Sequence, residues 1–262
     1  MAKVYAVTSG KGGVGKTTIV ATLGIMIASM GFRVLVIDMD LGLNNLDLAL
    51  GLEDEVVFDI SDIVSNKCRI KQAIVTHGEY DNLHFLASKN VIDICVNAHH
   101  IEYIIDSVRS EYDYIFIDSP AGIGVGFKRV LSSVDNTIVV VTPHLFSIRD
   151  AKKVSSIIDK YNLNGKYMVI NKMRGDLVLD GEMIDVSHIQ KYVDLELLGV
   201  IPEDDYINRV LLSFECGVGK ESQKAISLIA NTITTGEYKI YDCEKRYRGV
   251  MGYIRRALKR IV

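Results

Sequence analysis

Short apolar, β-prone runs recur along the chain: Val4–Thr8, Val34–Ile37, Leu83–Leu86, Tyr114–Ile117, Thr137–Val141, Tyr167–Ile170 and Leu197–Ile201. Several are nearly continuous Val, Ile and Leu, the pattern of strands covered on both faces. Between many of them the apolar positions change to helical spacing, as at Ile19, Leu23, Ile27 and Met30, at Ile101, Ile104, Ile105 and Val108, and at Val154, Ile157, Ile158 and Tyr161. Alternating strands and helices predict an α/β fold built on a doubly wound, mainly parallel sheet. Ligands of such sheets sit at the carboxyl ends of the strands, so the polar residues that end these runs are the first place to look for chemistry.

The first run ends in Gly10-Lys11-Gly12-Gly13-Val14-Gly15-Lys16-Thr17-Thr18. Glycine, four residues, then Gly-Lys-Thr is the phosphate-loop pattern, and its context of strand before and helix after is the one that pattern requires. The glycines let backbone N–H groups approach phosphate oxygens. The helix that follows adds its positive N-terminal end. Lys16 can place its ammonium on the β- and γ-phosphates of a nucleotide, and the Thr17 hydroxyl can ligate Mg²⁺. These residues predict ATP and Mg²⁺ as the bound species.

Two further strand ends carry carboxylates. The second run leads into Asp38-Met39-Asp40, whose side chains at i and i+2 point the same way on an extended chain. Beside a Mg-nucleotide, one could hold metal-bound water and the other could position the attacking water; an ordinary polar turn is the other reading. The run Tyr114–Ile117 is capped by Asp118, then Ser119-Pro120-Ala121-Gly122, which is the Walker B pattern of a metal-associated carboxylate. Gly122 could bring a backbone N–H to the γ-phosphate.

Length and composition narrow the picture. The 262 residues suffice for one large α/β domain, with hydrophobic and charged shares typical of a globular chain. The start lacks a signal-peptide pattern, and no apolar run approaches the ~20 residues a bilayer-spanning helix needs. Cys68, Cys95, Cys216 and Cys243 are scattered without a Cys-x-x-Cys pair, so free thiols in a cytoplasmic chain are expected.

The formal net charge of −3 conceals an asymmetry. Lys245, Arg246, Arg248, Arg255, Arg256, Lys259 and Arg260 give residues 245–262 a charge of +7 without one acid, which leaves −10 on the rest. Drawn as a helix, that tail puts Val250, Ile254, Leu258 and Ile261 on one side, with Tyr247, Met251, Ala257 and Val262 beside them and all seven basic residues on the remaining arc. A basic amphipathic helix of this kind reads as an interfacial membrane anchor on an anionic surface, against a docked helix or a nucleic-acid patch as rivals. Gly249 and Gly252 each lower helix propensity by ~1 kcal/mol, so the tail is expected to be disordered in solution and helical on lipid. The division is therefore a P-loop ATPase domain at 1–244 and a membrane-targeting helix at 245–262.

Taken together, Ser9–Thr18, Asp38–Asp47, Asp118–Ile123, Ser147–Ala151 and Gly199–Asp204 resemble the MinD/ParA/nitrogenase-iron-protein class of deviant Walker A ATPases, and within it the MinD branch that selects the division site. The likeness runs from about residue 2 to the end. It implies that Lys11 reaches across a nucleotide-sandwich homodimer to the partner's phosphates, that Asp40 positions the hydrolytic water, and that Asp38 and Asp118 lie at the metal. It also implies that Asn171 reads adenine, with the loop Pro202, Glu203 and Asp204 beside the base; a surface turn is the other reading of Asn171-Lys172. The function implied is ATP-driven dimerisation and attachment to the inner face of the cell membrane, released by hydrolysis. The partners implied are a MinC-like inhibitor and a MinE- or MinJ/DivIVA-like topological regulator, with no specific nucleic acid. A FlhG-type flagellar-number ATPase, which usually carries an N-terminal activating extension, and a ParA-type DNA-segregation ATPase are the rival members. Gly124, His144 and Phe146 depart from the usual pattern, as does Glu215–Lys220, which lacks the usual Gly-x-Pro; these departures bear on partner recognition rather than on nucleotide chemistry.

Overall fold

The computed structural model describes residues 1–40, 45–88, 96–204 and 219–259, with side chains to residue 257. Residues 41–44 of the second motif, Cys95, residues 215–218 with Cys216, the last residues 260–262, and the side chains of Leu258 and Lys259 lie outside the described residues.

The strands are β1 (Lys3–Thr8), β2 (Val34–Asp38), β3 (Ile74–Thr76), β4 (Leu83–Leu86), β5 (Tyr114–Asp118), β6 (Asn136–Val141), β7 (Gly165–Met173) and β8 (Glu196–Pro202). They form one sheet in the order β3-β4-β2-β5-β1-β6-β7-β8. Every pairing is parallel except β3 with β4 at one edge. Among the described residues the helices are α1 (Lys16–Ser29), α2 (Leu46–Leu50), α3 (Ile60–Val64), α4 (Ile70–Ala73), α5 (Ala98–Val108), α6 (Val125–Leu131), α7 (Leu145–Ile158), α8 (Gly175–Leu179), α9 (Val186–Val193), α10 (Lys220–Thr235) and α11 (Gly249–Lys259).

The continuous apolar runs are explained by cover on both faces. Tyr5, Val7, Val34, Val36, Tyr114 and Phe116 pack with Ile19, Leu23 and Ile27 of α1 and with Ile226 and Ile229 of α10. Val4, Ala6, Leu35, Ile37, Ile115 and Ile117 face the other way, onto Ile101, Ile104 and Ile105 of α5. A third cluster joins β6–β8 to α7 and α9. Strand parity then fixes the site. Asp38 keeps step with Val34 and Val36, and Asp118 with Tyr114 and Phe116, so both carboxylates lie on the α1 side of the sheet.

The tail departs from its prediction in two respects: Gly249–Lys259 is helical without lipid, where disorder in solution was expected, and the helix starts late. Its helix begins at Gly249 rather than at residue 245, with Lys245–Tyr247 as a 3₁₀ turn and Arg248 extended. Tyr247 is buried in the body instead of lying beside the apolar stripe. Gly249 has φ +74°, the left-handed conformation in which glycine is unstrained and which separates the two pieces. Val250, Met251, Tyr253 and Ile254 are exposed, while Arg256 Nη1 donates to Asp180 Oδ1 at 2.7 Å. Among the described residues no helix is long and apolar enough to cross a membrane, and Cys68 and Cys243 are free thiols.

Candidate nucleotide site

β1 and α1 are joined by the glycine-rich loop, and α1 begins without a side-chain cap or an acidic residue in its first turn. The N–H groups that open a helix have no intrahelical partner, so this end offers donors and a positive dipole to an anion. Gly15 takes the cap position at φ +96°. Lys16 is the first helical residue, 5% exposed, and its Nζ stands 3.8 Å from Asp40 Oδ2.

Behind the lysine, Thr17 Oγ1 donates to Asp118 Oδ2 at 2.5 Å. Asp118 is the register partner of Asp38 on the neighbouring strand. Asp38 Oδ1 accepts from the Asp40 N–H at 2.9 Å, and its Oδ2 from the Leu46 N–H at 3.4 Å. Burial first, and then the nearby Asp118 charge, push the Asp38 carboxyl up to about 7. Burial pushes Asp118 up to about 6, opposed by the Thr17 hydrogen bond and the Lys16 charge. Asp118 Oδ1 is buried and has no hydrogen-bond partner.

That orphaned oxygen is the test of fit for Mg²⁺. Two sheet carboxylates, one hydroxyl and an unpartnered carboxylate oxygen form a hard-oxygen donor set. Among the described residues no cluster of three His, Cys, Asp or Glu forms an all-protein cage. Mg²⁺ does not need one, because it is held by one or two carboxylates together with phosphate oxygens and water. The residues present fit the ion.

The remaining sequence-predicted positions divide. Lys11 is half-buried at the loop, and its carbonyl accepts from Ser9 Oγ at 2.7 Å. Pro202, Glu203 and Asp204 line a cavity of about 300 Å³ with Arg174, Tyr241 and Tyr247. Asn171 is directed elsewhere: its Nδ2 donates to the Val14 carbonyl at 2.8 Å. The Gly122 N–H donates to the Ser9 carbonyl at 2.8 Å, so it is not directed at a phosphate as expected. Sequence reasoning missed two loop contacts. Lys172 Nζ donates to the Gly13 carbonyl at 3.0 Å. At Gly10 an added Cβ would lie 2.5 Å from Asp150 Cβ on α7. The signal for the first was the lysine after Asn171, read as part of a surface turn.

A family profile described as an AAA domain, AAA_31, matches residues 2–170. The septum site-determining protein MinD of Helicobacter pylori is 41% identical over 219 residues, which are 79% of this chain and 80% of that protein. The chain belongs to the MinD family. MinD of Bacillus subtilis is 36% identical over 210 residues, 79% of this chain and 78% of that one. Among solved structures, the Aquifex aeolicus MinC:MinD cell division complex matches with a TM-score of 0.83 and 33% identity, covering 91% of this chain and 98% of that one. MinD from Pyrococcus horikoshii, complexed with Mg-ADP, matches with a TM-score of 0.76 and 27% identity, covering 89% and 96%. The parallel P-loop sheet described above is thus the MinD fold.

Proposed function

We propose that this chain is a Mg²⁺-dependent ATPase of the MinD kind, which dimerises with ATP and attaches to the membrane to position the division site. One observation carries the reading: Thr17 and Asp118 meet at 2.5 Å at the uncapped start of α1, and the second Asp118 oxygen is buried without a partner. Lys16 would bind the β- and γ-phosphates, with the N–H groups of Gly10–Thr18 around them. Thr17, Asp118 and Asp38 would hold Mg²⁺ directly or through water. When bound, that ion would neutralise negative charge that builds on the phosphates. Asp40 would orient the attacking water. Lys11 would act on the phosphates of a second copy, completing the site only in the dimer. The base would lie against Pro202, Glu203 and Asp204.

Residues 245–262 would serve as the membrane-targeting segment beside an ATPase domain at 1–244, so the protein would move between the cytoplasm and the inner face of the cell membrane. One short anchor binds reversibly, whereas two joined by a dimer gain effective concentration and bind far more tightly. That relation is how ATP would gate attachment. The Aquifex aeolicus complex supports a MinC-like partner; a MinE- or MinJ/DivIVA-like regulator rests on the sequence resemblance. The test is co-sedimentation with anionic vesicles in ATP and in ADP. ATP should bring most of the protein down with the vesicles and ADP little; equal binding with either nucleotide would overturn the gating, and no nucleotide binding would overturn the ATPase reading.

A further inference from the structure

β7 is the source of an arrangement that the roles above do not use. Its pairing with β8 slips between Ile170 and Met173, so Asn171 and Lys172 form an irregularity in the ladder, and Lys172 takes φ +60°. Bulges of this type re-aim side chains. Here both side chains turn onto the phosphate loop and take two successive carbonyls: Asn171 Nδ2 to Val14 O at 2.8 Å and Lys172 Nζ to Gly13 O at 3.0 Å. Asn171 Oδ1 accepts from the Lys172 N–H at 2.9 Å, which fixes the orientation of the amide. The fit is close: a Cβ on Gly15 would lie 2.5 Å from Asn171 Nδ2.

We propose that Asn171 and Lys172 are positioning residues that hold the phosphate loop in its anion-binding shape. A trans peptide is planar, so its C=O and N–H point in opposite directions. Holding the Gly13 carbonyl outward turns the Val14 N–H inward, and holding the Val14 carbonyl outward does the same for the Gly15 N–H. The pair thereby keeps two carbonyl dipoles away from the phosphates and presents two donors before any ligand arrives. Donors fixed in advance need no reorganisation when the charge binds, which is where such a site gains over a flexible loop. Without the clasp, the glycines at 12, 13 and 15 leave the loop free to sample shapes with carbonyls turned in. This inference rests on the nucleotide reading, and it assigns Asn171 to the loop, where the family resemblance assigns it to adenine.

The discriminating measurement is affinity for Mg²⁺ with ADP, GDP and inorganic pyrophosphate, by calorimetry, with a melting curve for each variant. Lys172→Met should weaken all three ligands by a common factor of about tenfold, the effect of one charged hydrogen bond. Lys172→Arg, which restores a cationic donor, should remain within about threefold of wild type. Asn171→Asp, which replaces the donor by an acceptor facing the Val14 carbonyl, should weaken all three equally. Lys172 is exposed, so the Met and Arg pair decides even if Asn171→Asp melts early. Unchanged pyrophosphate affinity in Lys172→Met, or an Asn171→Asp loss confined to ADP, would overturn the inference while leaving the nucleotide reading intact. Wild type binding none of the three would overturn both.

Discussion

The Lys16 ammonium and the Asp40 carboxylate stand 3.8 Å apart, the lysine almost wholly buried and the aspartate about one-fifth exposed. The cation proposed for a phosphate is therefore already partnered, and a nucleotide would compete with Asp40 for it. Removing one member of a buried pair leaves an uncompensated charge and costs ~3–5 kcal/mol at full burial, less here because Asp40 is partly solvated. Asp40→Ala should accordingly melt below wild type without ligand, yet be stabilised more than wild type by Mg-ADP, whose phosphates replace the lost carboxylate. Its ATP turnover should fall at least tenfold if Asp40 orients water. Turnover equal to wild type would leave the residue only its pairing role.

Asp118→Asn separates stability from metal use. A carboxyl that burial pushes up to about 6 is ionised at an energetic cost in neutral solution. The isosteric amide removes that cost and can still accept from Thr17, so the free protein should melt at or above the wild-type temperature at pH 8. Mg²⁺ should then add little to ADP affinity. A Mg²⁺ enhancement equal to wild type would remove Asp118 from the metal site.

The tail gives a prediction with a built-in control. Ile254 is 45% exposed and Val250 80% exposed. Exposed substitutions usually change stability by within ~0.5 kcal/mol, whereas burying an aliphatic side chain in lipid contributes about 1.5–3 kcal/mol. Ile254→Glu should therefore leave the melting curve in place and reduce vesicle binding at least tenfold, with nucleotide binding intact. Arg256→Glu should behave differently, because it places a second carboxylate against Asp180 and loosens the helix from the body. A sharp fall in melting temperature for Ile254→Glu would make α11 a structural helix.

His84 supplies a pH dependence. Its ring lies edge-on to Tyr112 at 5.4 Å, its Nδ1 is buried without a partner, and burial holds its pKa below the ordinary value, against a small opposite effect of Glu111. A histidine whose folded pKa is depressed contributes stability above its unfolded pKa and loses it as pH falls through the folded one. Asp38 and Asp118, raised to about 7 and about 6, gain stability over the same range, so the effect is read as a difference: from about pH 7 to pH 5 the wild type should lose melting temperature relative to His84→Phe, which keeps the ring contact. Parallel curves for the two proteins would show that His84 stays neutral throughout.

Most of the sheet was legible because its strands are covered on both faces and so appear as unbroken apolar runs. The antiparallel edge strand β3 was not: Ile74–Thr76 is three residues long and half exposed, too short for a pattern. The gathering of Asp38, Asp40 and Asp118 near Lys16 and Thr17 was legible because each carboxylate follows an apolar run and co-occurs with the phosphate loop. Asn171 and Lys172 were harder, since Tyr167–Ile170 marks where the apolar run stops but not where the strand does, and β7 continues through a bulge to Met173. The start of α11 was misplaced because Tyr247 satisfies a helical stripe and a body contact equally well on paper; the positive φ at Gly249 decides between them.

Gly10 has no room for a methyl group against Asp150, and the clash involves the backbone of that residue as well as its side chain. The first turn of the phosphate loop and α7 are thus in direct backbone contact. Leu145 and Phe146, exposed one turn before Asp150, ride on that helix as a handle. A handle at that place stands one helical turn from the loop, with no spacer between them.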